Sequence, residues 1–251
     1  MYVALLIRMG DTNMDKQLEN YMRADSYLQG IKDCLPTLFG YISIGFAFGV
    51  VGVASGLHIL EVFLLSVFVY AGSAQFIFCS LYVAGAPATA IIVTVFIVNL
   101  RHLLMSFSIA PYFTRYSILR NIGFGTLLTD ETFGVAVVEG GKKRWLGGRW
   151  MDGLNITAYF VWILSCTIGG LFGQYFPNPE SFGLDYALVA MFIALLVLTL
   201  HHLPKHKLFH YIKLIIYVVI SMYVLTLFMP GHLAVLLSTI IVATIGVATE
   251  K

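Results

Sequence analysis

The sequence predicts an all-α, polytopic membrane protein of about eight transmembrane or partly broken helices, with both termini on the cytoplasmic side. Composition is the first reason. The 251 residues are 59% hydrophobic and 11% charged, with a mean hydropathy of +0.87, whereas soluble domains carry about 25% charged residues. Spacing is the second, because apolar runs recur near the roughly 20 residues that a helix needs to cross about 30 Å of hydrocarbon. The third is the placement of Lys and Arg, which collect in particular connections instead of forming one patch. That sorting, with a net charge of +2, leaves no electrostatic footprint for nucleic acid.

Residues 1–33 read as a polar cytoplasmic or interfacial lead-in, amphipathic over 15–32, and residues 34–251 as one transmembrane domain. The apolar run over 1–7 has no basic residue before it and no small-residue cleavage site after it, so it is not a cleavable signal, and Met14 or Met22 is an alternative start. Apolar segments follow near 36–56, 61–82, 88–113, 121–139, 150–174, 185–203, 209–229 and 232–249. The turns Gly85-Ala86-Pro87 and Met229-Pro230-Gly231 are too short for anything but antiparallel neighbours, and Pro177-Asn178-Pro179 marks another reversal. If all eight segments cross, one side receives Arg8, Lys16, Arg23, Lys32, Lys142, Lys143, Arg144, Arg149, Lys205, Lys207, Lys213 and Lys251, and the other only Arg115 and Arg120. Cytoplasmic excess of basic residues produces such an asymmetry. Segment 121–139 either crosses or dips, and if it dips, segment 36–56 must also fail to cross for the N-terminal basic residues to stay cytoplasmic.

Glycine placement allows two readings. Gly45-xxx-Gly49 and Gly52-xxx-Gly56 in the first segment and Gly169-xxx-Gly173 in the fifth are spaced for close helix packing. Alternatively, the first segment, with five glycines, and the fourth, with Gly123, Gly125 and Gly134, are interrupted helices whose freed backbone lines a midplane site. Cys34, Cys79 and Cys166 are too few and too far apart for a disulfide framework or a metal and read as buried small hydrophobes. His201, His202, His206 and His210 flank Pro204, which breaks their register, and no carboxylate joins them, so an interfacial role is favoured over a metal site. Tyr112, Tyr116, Trp145, Trp150, Tyr175 and Tyr211 fall near predicted helix ends, as aromatic belts do.

The chemistry concentrates in a few polar groups set in apolar surroundings. Asn99, Arg101 and His102 lie inside the third segment, and an Arg at the centre of a membrane helix costs about 2.5–3.5 kcal/mol on insertion scales unless a partner or water meets it. Asn99 and His102 share one helical face, while Arg101 is rotated by about 100° from His102. Asp130 and Glu131 interrupt the fourth segment and diverge by the same angle, so one of them pairs with Arg101. Gln75 lies in Tyr70-Ala71-Gly72-Ser73-Ala74-Gln75-Phe76, either as interhelical glue or as a site residue. A purely structural ion pair stays open beside a functional one, in which Arg101 meets a carboxylate and an acid meets an ammonium group or carries a proton. Metalloprotease, nucleophile-elbow, Walker A and dinucleotide fingerprints are missing from the sequence, so an enzyme is not expected, although His102 with Asp130 is the pair that an intramembrane hydrolase would use.

Four features in order complete the picture: a proline-led, glycine-rich first segment from Pro36 to Gly56, then Ala71-Gly72-Ser73-Ala74-Gln75-Phe76, then Asn99-Leu100-Arg101-His102, then Leu128-Thr129-Asp130-Glu131-Thr132-Phe133. Together they resemble the AzlC family, the large subunit of bacterial branched-chain amino acid exporters, over about residues 30–249. The resemblance implies a secondary transporter that exports leucine, isoleucine, valine or similar neutral amino acids such as methionine across the bacterial plasma (inner) membrane. It also implies proton coupling and a small membrane partner, the AzlD-type subunit, with no cofactor or metal. The matching substrate and proton-coupling positions are Gln75, Asn99, Arg101, His102, Asp130 and Glu131, with Phe76 and Thr129 beside them. Residues 34–251 would then be the transport domain. A non-transporting membrane scaffold or channel subunit, its polar residues only holding helices together, is the alternative.

Overall fold

The computed structural model describes residues 25–142, 145–173, 205–229 and 231–249, with a few positions between 175 and 200. Among them the chain is helical and without strands: α1 Tyr27–Ala54, α2 Ile59–Phe68, α3 Gly72–Val83, α4 Ala88–Ile109, α5 Ile118–Thr126, α6 Asp130–Lys142, α7 Gly148–Gly173, α8 Lys205–Thr226 and α9 Gly231–Thr249. Four helices are long and apolar enough to cross a membrane, those beginning at Tyr27, Ala88, Gly148 and Lys207. Segment 185–203 falls largely outside the described residues, as do the side chains of His201, His202 and His206.

The frame is a parallel pair, α1 and α7, joined through glycine. A methyl group at Gly30 would overlap the Trp150 carbonyl, one at Gly49 the Cys166 carbonyl, one at Gly153 the Tyr27 carbonyl, and one at Gly169 the Phe46 carbonyl. Backbone thus meets backbone along the whole interface, which is how membrane helices gain contact when lipid offers no hydrophobic drive to associate. The first segment is accordingly one continuous helix to Ala54, in which Gly45, Gly49 and Gly52 serve packing, while Gly40 meets no neighbour and Gly56 lies beyond the helix in a turn with φ of +92°; Pro36 sits inside the helix without ending it. The helix also starts earlier than the apolar run, at Tyr27. Asp33 accepts from the Trp150 indole N–H at 2.8 Å, and the Asp25 carboxylate accepts from the backbone N–H of Arg149 at 2.8 Å. Trp150 is 1% exposed, so it belongs to this interface and not to an aromatic belt. Cys34, Cys79 and Cys166 are free and buried.

The second and fourth apolar segments each fold back on themselves. α2 and α3 span about 15 and 18 Å, and α5 and α6 about 14 and 20 Å, each near half a bilayer. α2 starts beside the end of α1, where Val62 meets Gly52, and runs inward to a tip at Val69-Tyr70-Ala71. There Tyr70 stacks edge-on against Tyr159 at 4.8 Å, and α3 returns, with Phe76 against Phe48 of α1 at 5.7 Å. α5 and α6 do the same from the opposite end. Arg120 pairs with Asp152 in the second turn of α7 at 2.9 Å, Phe124 is held by Asn155 one turn deeper, the tip lies at Leu128-Thr129, and Gly140 of α6 comes back to the ring of Tyr112. Tyr112 in turn accepts through its carbonyl from Leu146.

Two expectations change with this geometry. Arg115 and Arg120 were assigned to the side opposite Arg149, but Arg120 bonds Asp152 and Arg115 lies over the Trp145 ring at 5.4 Å, so they sit at the same end as the start of α7. The interruption expected in the first segment occurs instead in the second. α4 crosses antiparallel to α1, from the Gly85–Pro87 turn to the end that carries Arg115, so that α1-α2-α3 and α4-α5-α6 are two copies of one plan in opposite orientation: a long helix, then a half-helix hairpin. Such inverted repeats with discontinuous helices are a recurring design of secondary transporters. α8 and α9 pack together, Leu214 against Gly246, and α9 touches α4.

Candidate functional site

The two hairpin tips meet at Arg101 near the middle of α4. Each tip breaks the helical ladder, and in a membrane the freed carbonyls need donors. α7 supplies two of them: the Tyr159 hydroxyl donates to the Val67 carbonyl at 2.9 Å, and the Asn155 amide donates to the Phe124 carbonyl at 3.1 Å. α4 supplies a contact at the second tip, where His102 Nδ1 lies 2.8 Å from the Leu128 carbonyl. Tyr70 turns the first tip with φ of +39°, a left-handed conformation that a side chain rarely adopts. At the second, the Thr129 N–H donates to Thr132 Oγ1 at 2.9 Å and Thr129 Oγ1 accepts from the Thr132 N–H at 3.4 Å, a reciprocal cap that starts α6.

Capping places Asp130 and Glu131 in the first turn of α6, where the helix dipole favours negative charge. Asp130 Oδ2 lies 3.0 Å from Arg101 Nη2, and the same Nη2 donates to Ser73 Oγ, in the first turn of α3, at 2.8 Å. Arg101 therefore bridges the two tips. Tyr41 of α1 bonds Thr129 of the other repeat and stacks edge-on against Trp162 of α7 at 5.9 Å. Each long helix thus holds the hairpin of the opposite repeat.

A cavity of about 20 Å3 lies at this junction, lined by Arg101, His102, Asp130 and Glu131, by Tyr41, Tyr70 and Trp162, and by Ala71, Gly72 and Thr129. Its size suits one water molecule. Four of the six residues singled out in the sequence are thus brought together. Gln75 is fully buried one turn into α3, tied to Ser66 at 3.4 Å and to the Trp162 indole at 3.1 Å, and does not line the cavity. Asn99 lies one turn from His102 on the same helix and also stays off the lining; its Oδ1, like His102 Nε2, is buried without a hydrogen-bond partner among the described residues. Ser73, Tyr41, Tyr70 and Trp162 are additions. Ser73 and Tyr70 lie within the stretch quoted around Gln75, without a role assigned to either, whereas nothing in the sequence separates Tyr41 or Trp162 from other membrane aromatics.

The hexapeptides at 71–76 and 128–133 occupy equivalent places, each opening the second half-helix of its hairpin, with Ser73 matched by Asp130 and Phe76 by Phe133. Chemically, the junction offers a guanidinium and two carboxylates within an aromatic and apolar wall, the set of groups that a zwitterion with an apolar side chain requires.

Residues 36–176, more than half of the chain, match the family described as AzlC protein. The Inner membrane protein YgaZ of Escherichia coli is 29% identical over 179 residues, 68% of this chain and 72% of that protein. An uncharacterized membrane protein of Archaeoglobus fulgidus is 28% identical over 72% of this chain and 78% of its own length. The Branched-chain amino acid transport protein AzlC of Bacillus subtilis is 26% identical over 65% of this chain and 63% of its own length. No solved structure matches the chain. Helices of membrane-crossing length, the two inverted hairpins and the extended family match lead to one statement: the chain is a multi-pass membrane protein of the AzlC family, a family related to branched-chain amino acid transport.

Proposed function

We propose that the protein is the large subunit of a secondary transporter that exports branched-chain or similar neutral amino acids, among them leucine, isoleucine, valine and methionine, across the bacterial inner membrane. The observation that carries this is the meeting of Arg101, Asp130 and Glu131 at the tips of two oppositely inserted half-helix hairpins. Arg101 attracts the substrate carboxylate, Asp130 or Glu131 takes the ammonium group, and Tyr41, Tyr70 and Trp162 face the aliphatic side chain. In the sealed arrangement Asp130 holds the place at Arg101 that a substrate carboxylate would take. Substrate entry and release of Asp130 are then one exchange, and the freed acid is available to an ammonium group or a proton. This links flux to a proton gradient. A small AzlD-type membrane subunit completes the transporter.

Orientation follows from charge. No Lys or Arg lies between Lys32 and Arg101 or between Trp150 and Lys205, so the connections at 55–58 and 84–87 carry none, while Arg115, Arg120, Lys142 and Arg149 gather at the other end. The positive-inside rule puts that end in the cytoplasm. With segment 185–203 as a crossing, the chain crosses six times and dips twice, both termini are cytoplasmic, and every Lys and Arg apart from Arg101 falls on the cytoplasmic side. For the hydrolase alternative, Ser106 donates to the backbone carbonyl of His102 and not to its ring.

The test is leucine efflux from cells expressing Arg101→Ala, Asp130→Asn or Glu131→Gln at equal protein level. A loss of at least tenfold in Arg101→Ala, and in at least one acid variant, is expected. Efflux at the unaltered rate in all three would leave the scaffold reading standing.

A further inference from the structure

We propose that the α5–α6 hairpin is the cytoplasmic gate of the Arg101 site, and that substrate passes along the seam between α5 and α4, by Ser106 and Gly125. The inference rests on the transporter reading and adds the path by which that site is reached. Three observations support it. First, both ends of the hairpin lie at the end of the molecule that carries Arg115, Arg120 and Arg149, while its tip supplies Thr129, Asp130 and Glu131 to the cavity. Moving this hairpin away from α4 opens the site toward that end alone, because the α2–α3 tip, with Tyr70 and Gly72, closes the other.

Second, two cavities lie in series along the seam. Outside the one at Arg101 is another of about 30 Å3, between Ser106, Ile109 and Phe113 of the α4 side and Asn121, Phe124 and Gly125 of α5. Ser106 and Gly125 line the outer cavity one turn from His102 and Leu128, and a methyl group at Gly125 would come within 2.9 Å of the Ser106 hydroxyl. The outer cavity is walled by apolar groups around two polar side chains, Ser106 and the amide of Asn121, whose Oδ1 is buried with no hydrogen-bond partner among the described residues. That lining suits an aliphatic solute with one polar end. Either cavity holds a water molecule and not an amino acid, so passage requires the seam to part.

Third, attachment is unequal. α1 and α7 meet backbone to backbone at four glycines, so that pair cannot slide. α5 leaves Ile118 and Leu119 78% and 82% exposed and is held to α7 by the Asn155 amide and the exposed Arg120–Asp152 pair. An exposed pair of this kind contributes little. The hairpin's other ties include the packing of Phe124 on Phe113 and Tyr116 and the tip contacts with Tyr41, Arg101 and His102, which lie at the site where substrate enters, and none of these is a backbone-to-backbone contact like that of α1 with α7. The hairpin is the element that moves, and the α1–α7 pair the one it moves against.

The experiment locks the seam. The Cβ positions of residues 106 and 125 are 3.4 Å apart, close to the separation found in disulfides, so Ser106→Cys with Gly125→Cys, in a background where Cys34, Cys79 and Cys166 are changed to Ala, can be bridged by oxidation. In membrane vesicles, leucine flux through this variant is expected to fall at least tenfold on oxidation and to return with a reductant. Val53→Cys with Gly173→Cys, whose Cβ positions are 3.2 Å apart across the α1–α7 pair, should show equal flux oxidised and reduced. Equal flux before and after verified closure of the 106–125 bridge overturns the gate. Should the reduced variant move no leucine, the path is judged by labelling alone, and should the unaltered protein also move none of leucine, isoleucine, valine and methionine, the transport reading itself has failed. A cysteine at Asn121 must then react with a membrane-impermeant maleimide added at the cytoplasmic face; reaction only from the outer face, or none from either, overturns it.

Discussion

Arg101 and Asp130 hold each other at 3.0 Å with side chains 26% and 21% exposed, so each is largely desolvated. Removing one partner strands the other, at a cost of about 3 kcal/mol on the scale of buried pairs, whereas removing both costs less. Arg101→Ala should thus lower the detergent-solubilised melting temperature more than Arg101→Ala combined with Asp130→Ala; the opposite order would mean that the pair is not closed in the folded protein. At this scale the site was partly legible. Arg101, His102, Asp130 and Glu131 announce themselves because charge is expensive in apolar sequence. Ser73 does not, since a serine beside a glycine is ordinary in a membrane helix, and only the geometry shows it receiving a hydrogen bond from Arg101. Gln75 was legible as polar, but its two bonds, to Ser66 and Trp162, tie α3 to its surroundings and leave it off the cavity.

Among the elements, the hairpins depend on donors that lie elsewhere in the chain. Asn155→Leu keeps the size of the side chain and removes the donor to the Phe124 carbonyl, which should cost about 2 kcal/mol for a buried acceptor left unmet. Gly49→Val should destabilise more, because its side chain would overlap the Cys166 carbonyl and the Gly170 amide of α7 rather than a flexible neighbour. Thermal melts of both variants against a surface change at the exposed Phe39 would check the order. The break in segment 121–139 was readable, because glycines and two acids interrupt its apolar run. The break at 69–71 was not: a tyrosine takes the left-handed turn there, and the surrounding sequence is as apolar as a through-going helix. Conversely, of the five glycines that suggested a broken first segment, Gly45 and Gly49 act at the α1–α7 contact, Gly52 makes room for Val62 of α2, and Gly56 lies in the turn after the helix. A glycine in a membrane helix signals either close approach or a break, and which one depends on what faces it.

At the scale of the whole molecule, two turned-back segments cancel each other. With segment 185–203 taken as a crossing, the proposed arrangement keeps an even number of crossings and both termini on one side, but the sides of individual connections change. A reporter enzyme that is active only outside the cytoplasm should be active when fused after Gly85 and silent when fused after Ser117 or Gly147. Eight through-going helices would give activity at 117 and silence at 85, and that pattern would refute the paired hairpins. Counting apolar runs could not reveal this, because a run of about 20 residues has the same composition whether it goes straight through or folds at its middle. The uneven distribution of basic residues has a further effect on how the protein meets its surroundings. Trypsin cuts only after Lys and Arg, so in the proposed orientation the outward connections at 55–58 and 84–87 give that protease no substrate bond. Intact cells should keep the chain whole under trypsin, whereas inverted vesicles should release fragments cut around Arg115 and between Lys142 and Arg149.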